Sequence, residues 1–242
     1  MPATNPDEAF RSPTLPGVQI SQGCTEPAAV ALCAALAARA VGGEVEAVTL
    51  VCDRNTLKNA HAVQIPGGGG ARGARFAAAL GASGGDPVRG LAALAELPAG
   101  ALEQARALIA ADAVVLEVAD TDRARLWIEA RVNTTRGEGR ARLEDSHSRV
   151  TLLEAAGAPA TLPSWASAEA GQSDPRWEGA GLADVVASAE RTNTAELARY
   201  LEGLELNLAA ARHGTSYAAA TACEELATRA ELLAAAGSEA RM

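Results

Sequence analysis

Between residues 26 and 41 the chain reads EPAAVALCAALAARAV, strong helix formers almost without interruption, with Pro27 where a first turn tolerates it and Gly42-Gly43 at the far end. The pattern predicts a helix over 26–41. Directly after it, EVEAVTLVCD alternates polar and apolar residues over 44–53, the period of a half-buried strand. RNTLKNAH reads as a turn or one short helical turn, and AVQI as a second short strand ending before Pro66. The glycines of 67–73 predict a flexible loop leading into ARFAAALGASGG, and a pair of helices follows over about 86–97 and 100–111. Alternation returns in AVVLEVAD, ARLWIEARVN, GRARLED and SRVTLLEA, joined by short polar connectors such as TTRGEG. These four predict an antiparallel meander.

Together the elements predict an α+β fold, a mixed or antiparallel sheet with helices packed on it, followed by a helical C-terminal arm. The expected division has a Pro-rich N-terminal arm over 1–17 and an α+β domain over 18–156. A linker or irregular cover follows over 157–181, where Pro, Ser, Gly and Trp displace any periodicity. Residues 182–242 read as three helices whose apolar faces suit docking to a partner subunit.

Composition narrows the function classes. Hydrophobic residues make up 48% of the 242, aromatic ones only 3%, so the core is expected to be built from Ala, Val and Leu. A net charge of −9 with no basic run argues against nucleic acid as a partner. No segment approaches the roughly 20 apolar residues of a bilayer span, so no membrane is expected, and the expected location is the cytoplasm. There the four cysteines, which show no C-x-x-C spacing, remain thiols or isolated metal ligands. Among 21 basic residues Lys58 alone is lysine. An ammonium can give up its proton where a guanidinium cannot, so Lys58 is either a chemical group or a surface residue that is lysine by chance.

Cys24 stands at the start of the first predicted helix, beside N–H groups that lack an intrahelical acceptor. Such a position stabilises a thiolate and draws the thiol pKa down. Thr25 can cap the helix, and Glu26 adds a carboxylate that opposes thiolate formation yet can serve as acid or base. Cys24 is equally readable as an ordinary helix-start residue. Cys33, Cys52 and Cys223 read as small core residues. Asn55, Lys58 and Asn59 set an ammonium between two amides on a tight turn, an arrangement suited to a carboxylate or another small anion. The glycine loop, with Gly68 and Gly69 at its centre, offers N–H groups before a helix, as an anion cradle or only a flexible turn, and matches neither the P-loop nor the dinucleotide pattern. His147, between two predicted strands, is a proton donor, a substrate ligand or neither, and His213 reads as a helix cap.

Taken in order, GCTEPAAVALCAALAA, NTLKNAHAVQIPGGGG, AAALGASGGDPVRGLAAL, the His147 segment, LEGLELNLAAARHG and SEARM resemble the N-terminal half of the L-cysteine desulfidases. These are iron–sulfur β-eliminating lyases related to the serine dehydratases, and the resemblance covers residues 18–242. It implies a four-iron four-sulfur cluster with one iron open to substrate. It also implies release of sulfide or water from an amino acid such as L-cysteine or L-serine, leaving an enamine that hydrolyses to pyruvate and ammonia. Cys24 would be a cluster ligand or catalytic thiol, with Lys58 and Asn59 in the active-site region. Residue chemistry and resemblance together give Cys24, Lys58, Glu26 and His147 as catalytic candidates. Thr25, Asn55, Asn59, Gly68 and Gly69 are the substrate-binding candidates, and Cys24 is the metal candidate.

Members of that family continue into a second half that holds the remaining cluster cysteines. The expectation is therefore a subunit that shares the cluster with a second subunit and is active only with it. Two other readings compete. One is a pyridoxal-phosphate lyase, with Lys58 as Schiff base and the glycine loop cradling phosphate. The other is a non-catalytic regulatory or scaffolding subunit that binds an amino acid.

Overall fold

A computed structural model describes residues 23–119, 126–167, 179–191, 203–205, 207–209 and 212. The chain divides into two compact units, Pro16–Gln172 and a second made of Met1–Leu15 with Ser173–Met242. The first is an α+β unit. Its elements run α1 (Thr25–Val41), β1 (Val45–Cys52), α2 (Arg54–Ala60), α3 (Ala74–Gly84), a 3-10 helix (Pro87–Ala92), α4 (Ala101–Ala110), β2 (Val114–Val118), β3 (Trp127–Thr134), β4 (Gly137–Glu144), β5 (Val150–Ala155) and β6 (Ala158–Pro159). The described part of the second unit is chiefly α5 (Leu182–Arg191).

The six strands form one mixed sheet in the order β2-β1-β3-β4-β5-β6. On one face Val48, Leu50 and Cys52 of β1 lie in register with Val132, Ala130 and Ile128 of β3, which in turn face Gly139, Ala141 and Leu143 of β4. This apolar grid receives α1, which packs on β3, β4 and β5 and has α3 across its other side. Enclosure on two sides explains why every residue from Pro27 to Ala37 is buried. It also explains the alanines. A β-carbon at Gly81 of α3 would overlap the backbone of Ala31, and one at Gly139 of β4 would overlap the carbonyl of Ala37. Small residues therefore let three backbones approach more closely than larger side chains would allow, and a core poor in aromatics still fills its space.

The opposite face carries charge. Glu129 on β3 is cross-strand from Arg142 of β4, and Arg131 from Arg140. The Glu129 side chain is only 3% exposed, yet it accepts hydrogen bonds from Arg131, Arg140 and Arg142. Arg142 also lies over the Trp127 ring, 4.3 Å from its centroid, so packing as well as charge holds it in place.

Several expectations are corrected. β2 is parallel to β1, so of the four segments expected in the antiparallel meander only β3, β4 and β5 form it, and β6 extends it. The long β1-to-β2 connection through α2, α3 and α4 is the kind that a parallel pair requires. AVQI forms no strand, only the single bridge Gln64–Arg72, because the chain closes at once into a tight loop. The stretch expected as a helix over 86–97 is a 3-10 helix broken at Gly90, whose φ of 57° lies outside helical space. Part of the expected linker is structured as β6 and a 3-10 helix at Ser164–Ser167. The N-terminal arm over 1–17 and most of the helical arm beyond Arg191, with Cys223 and His213, lie outside the described residues. Among the described residues no helix is long and apolar enough to cross a membrane.

Candidate active site

Gly23 opens the site with a φ of 80°, a turn that brings it against the Pro66 ring. Cys24 then takes the N-cap position of α1 with extended backbone, and its carbonyl accepts from the Ala28 N–H. Thr25 is thus inside the helix rather than its cap. Glu26 turns back over the helix start, where its Oε2 accepts from the Cys24 thiol at 2.9 Å and from the Thr25 hydroxyl at 3.3 Å. Its Oε1 accepts from the Asn59 side-chain amide at 2.7 Å, a partner 33 residues away in sequence.

Asn59 reaches Glu26 because α2 is held by its own cap. The Asp53 carboxylate at the end of β1 accepts from the N–H groups of Asn55 and Thr56, from the Thr56 hydroxyl and from the Trp127 N–H. One residue thereby ties α2 to both β1 and β3. Those bonds hold the Asp53 carboxyl below its usual range against the opposing effect of burial. Thr56 and Ala60 point inward, and the exposed residues Asn55, Lys58 and Asn59, at helical spacings of three and four, share the outer face. Sequence reasoning missed Asp53, although an Asp at a strand end before Arg-Asn-Thr is a readable helix-start signal.

The electrostatics differ from the expectation for a helix-start thiol. Partial burial and the Glu26 carboxylate raise the Cys24 pKa, and the backbone N–H groups of Thr25 and Glu26 only partly offset them. Burial also works to raise the Glu26 pKa, but the bonds from Cys24 and Asn59 and the nearby charge of His147 lower it below the usual carboxylate value. The resting pair is a thiol donating to a carboxylate, and both shifts keep the proton on sulfur. His147 lies half-buried in the turn between β4 and β5, within electrostatic reach of Glu26.

The structure thus brings together Cys24, Thr25, Glu26 and Asn59, with His147 nearby and Lys58 and Asn55 on the same face of α2. The glycine loop makes packing contacts of its own. The Gly68 N–H donates to the Ile65 carbonyl, and a β-carbon there would press on Ile65 and Phe76. Gly69 lies under the Arg106 guanidinium of α4. Cys33 and Cys52 are fully enclosed in the core, and the Cys33 thiol, pushed up to about 12 by burial, donates to the carbonyls of Ile128 and Ala141. Among the described residues no group of three or more His, Cys, Asp or Glu converges as a metal site. An iron–sulfur cluster requires several thiolates, and these residues offer one at the site, so a whole cluster does not fit them.

The fold and site define an α+β protein with a thiol–carboxylate pair at a half-buried helix start. Its relatives carry the name UPF0597 protein. One from Desulfatibacillum aliphaticivorans is 32% identical over 220 residues, covering 86% of this chain and 50% of the relative. Another from Clostridium perfringens is 35% identical over 134 residues, covering 55% of the chain and 31% of the relative. A third from Kosmotoga olearia is 28% identical over 242 residues, covering 93% and 56%. The chain thus matches about half, or less, of the length of these relatives. No family model matches the chain.

Proposed function

We propose that the chain is one part of a lyase that eliminates the β-substituent of a small L-amino acid, of the cysteine or serine type, and that it works with a second polypeptide. The observation that supports this most directly is the hydrogen bond from the Cys24 thiol to Glu26, with Asn59 fixing the carboxylate from its other side. The substrate α-proton passes to the Cys24 sulfur only in concert with transfer of the thiol proton to Glu26, since at rest both pKa shifts keep that proton on sulfur. The α C–H electron pair becomes the new carbon–carbon double bond as the bond to the β-substituent breaks, and the substituent leaves with a proton for which His147 is the nearby donor. The enamine so formed tautomerises and hydrolyses to a 2-oxo acid and ammonia. Lys58, which has no ion-pair partner among the described residues, and the Asn55 amide hold the substrate carboxylate.

The resemblance to iron–sulfur lyases would add a cluster acting as Lewis acid on the leaving atom. In that alternative Cys24 would be a thiolate ligand in place of its role as base, the one ligand from this chain, and the second polypeptide would supply the rest. The test is anaerobic purification of the tagged protein from its source cells with whatever it binds, followed by assay of pyruvate and ammonia from L-cysteine and L-serine. Cys24→Ser is expected to lower kcat/KM by about a hundredfold or more, with the protein still folded and associated. Full activity in that variant, or no pyruvate from the intact assembly, overturns the proposal and leaves a non-catalytic amino-acid-binding role.

A further inference from the structure

β2 is an edge strand, and its apolar residues are open on both faces of the sheet, with Val115 48%, Leu116 41% and Val118 56% exposed. Its backbone orientation follows from the ladder to β1. The Ala113 carbonyl accepts from the Val48 N–H, and the Ala119 N–H donates to Cys52. By alternation Val115 and Glu117 also face β1, so the N–H and C=O groups of Val114, Leu116 and Val118 point away from the sheet. One of these is covered. Arg75, anchored on Asp112, donates its Nε–H to the Val114 carbonyl at 2.6 Å. Among the described residues nothing bonds the outward groups of Leu116 or Val118. Edges are ordinarily shielded by lysine, proline, a bulge or a covering element, and among the described residues Arg75 shields one end alone.

We propose that β2 receives an extended strand from another polypeptide, apolar at alternate positions and basic between them, which joins the sheet beside Leu116 and Val118. Apolar side chains of the incoming strand would cover Leu116 and Val118 on the helix side. The basic residues would face the exposed Glu117 carboxylate, and the net charge of −9 favours a basic partner over an acidic one. A second copy of this chain fits less well. Full antiparallel overlap of two β2 strands sets the Val118 N–H of one against the Val114 carbonyl of the other, the acceptor that Arg75 already holds, and brings two acidic chains together. The relatives from Desulfatibacillum and Kosmotoga contain about as much polypeptide outside the matched region as within it, since the match spans 50% and 56% of their lengths.

Hydrogen exchange on the full chain tests this, with a short synthetic peptide of alternating valine and lysine as the probe. Saturating peptide should slow exchange at the Leu116 and Val118 amides about tenfold and leave Val115 and Glu117, already bonded to β1, unchanged. Val118→Pro removes only an outward N–H, a change that edge strands tolerate, and should weaken peptide binding about tenfold. Glu117→Lys should transfer the preference to a valine–glutamate peptide. Unchanged exchange with the peptide, wild-type binding by Val118→Pro, or protection that rises with protein concentration alone overturns the proposal, the last in favour of a second copy. Peptide binding without pyruvate formation would remove the lyase reading and leave this site, and turnover without peptide binding would do the reverse.

Discussion

Replacing Glu129 with glutamine keeps its volume but removes the negative charge at the centre of three guanidinium groups. Arg142 donates to this carboxylate at 2.7 and 2.9 Å, Arg140 at 3.1 Å and Arg131 at 2.9 and 3.1 Å. Removing one partner of a buried pair costs about 3–5 kcal/mol. The arginine side chains here are 21–43% exposed, so water recovers part of their charge once the carboxylate is gone, and glutamine still accepts at one oxygen. The expected loss for Glu129→Gln is therefore about 2–3 kcal/mol at pH 7. Burial pushes the Glu129 carboxyl upward, but the bonds from Arg142 and Arg131 and the charge of Arg140 lower it below the usual range. A depressed folded-state pKa contributes stability that is present above the unfolded value of about 4.3 and is lost as pH falls through the folded value. The gap between wild type and variant, read by urea unfolding, should be full at pH 7 and close as pH drops through the acid range. A gap under about 1 kcal/mol at pH 7, or one that persists undiminished at low pH, would refute this account of the charged face.

Glu26→Gln removes two of the influences that raise the Cys24 pKa, the side-chain hydrogen bond and the negative charge. Iodoacetamide should label Cys24 faster at neutral pH, with Cys24→Ser as background, while lyase turnover falls. Slower or unchanged labelling would show that Glu26 does not hold the thiol proton. Lys58→Arg keeps the positive charge but not a removable proton, so it should raise KM more than it lowers kcat; a collapse of kcat with KM unchanged would make Lys58 the base instead. Gly81→Ala places a β-carbon into the Ala31 backbone, and although alanine is the better helix former by about 1 kcal/mol, the variant should be destabilised by about 1–3 kcal/mol. Wild-type thermal stability in it would mean that α1 and α3 are less closely packed than described.

The helix over 26–41 and the strand over 44–53 were legible because each carries its own period and its own stop signal, and the structure returns them as α1 and β1 to within a residue or so. The direction of β2 was not legible. Its alternation suits a parallel or an antiparallel neighbour alike, and only the path of α2, α3 and α4 across the helix face decides that it runs with β1. The packing role of two other glycines was not legible for a related reason. A glycine in a loop reads as freedom, yet Gly81 and Gly139 lie inside regular elements and are required by neighbours distant in sequence. The arginine cluster around Glu129 was visible as letters on two strands, but its convergence depends on the β3–β4 register.

The site shows the same division at the scale of a single proton. Sequence placed Cys24 at a helix start and named both the N–H groups that favour a thiolate and the Glu26 carboxylate that opposes it. Which of the two prevails depends on how far the thiol is buried and where the carboxylate turns, and neither is written in adjacent residues. Asn59 turns it, and Asn59 is in place because Asp53 caps α2 and bonds Trp127 on the neighbouring strand. The outcome is a thiol that keeps its proton at rest and has a deprotonated acceptor at 2.9 Å. In the proposed elimination this would make the sulfur a base only as its own proton moves onto Glu26, so the substrate-side proton transfer would depend on an amide from a different helix. In that reaction Asn59 would be a positioning residue. Asn59→Ala should lower kcat and raise the apparent pKa of the acidic limb of the pH–rate profile, because the amide that favours the deprotonated Glu26 is gone and the carboxylate's orientation goes with it; an unchanged kcat and an unchanged acidic limb would refute this role.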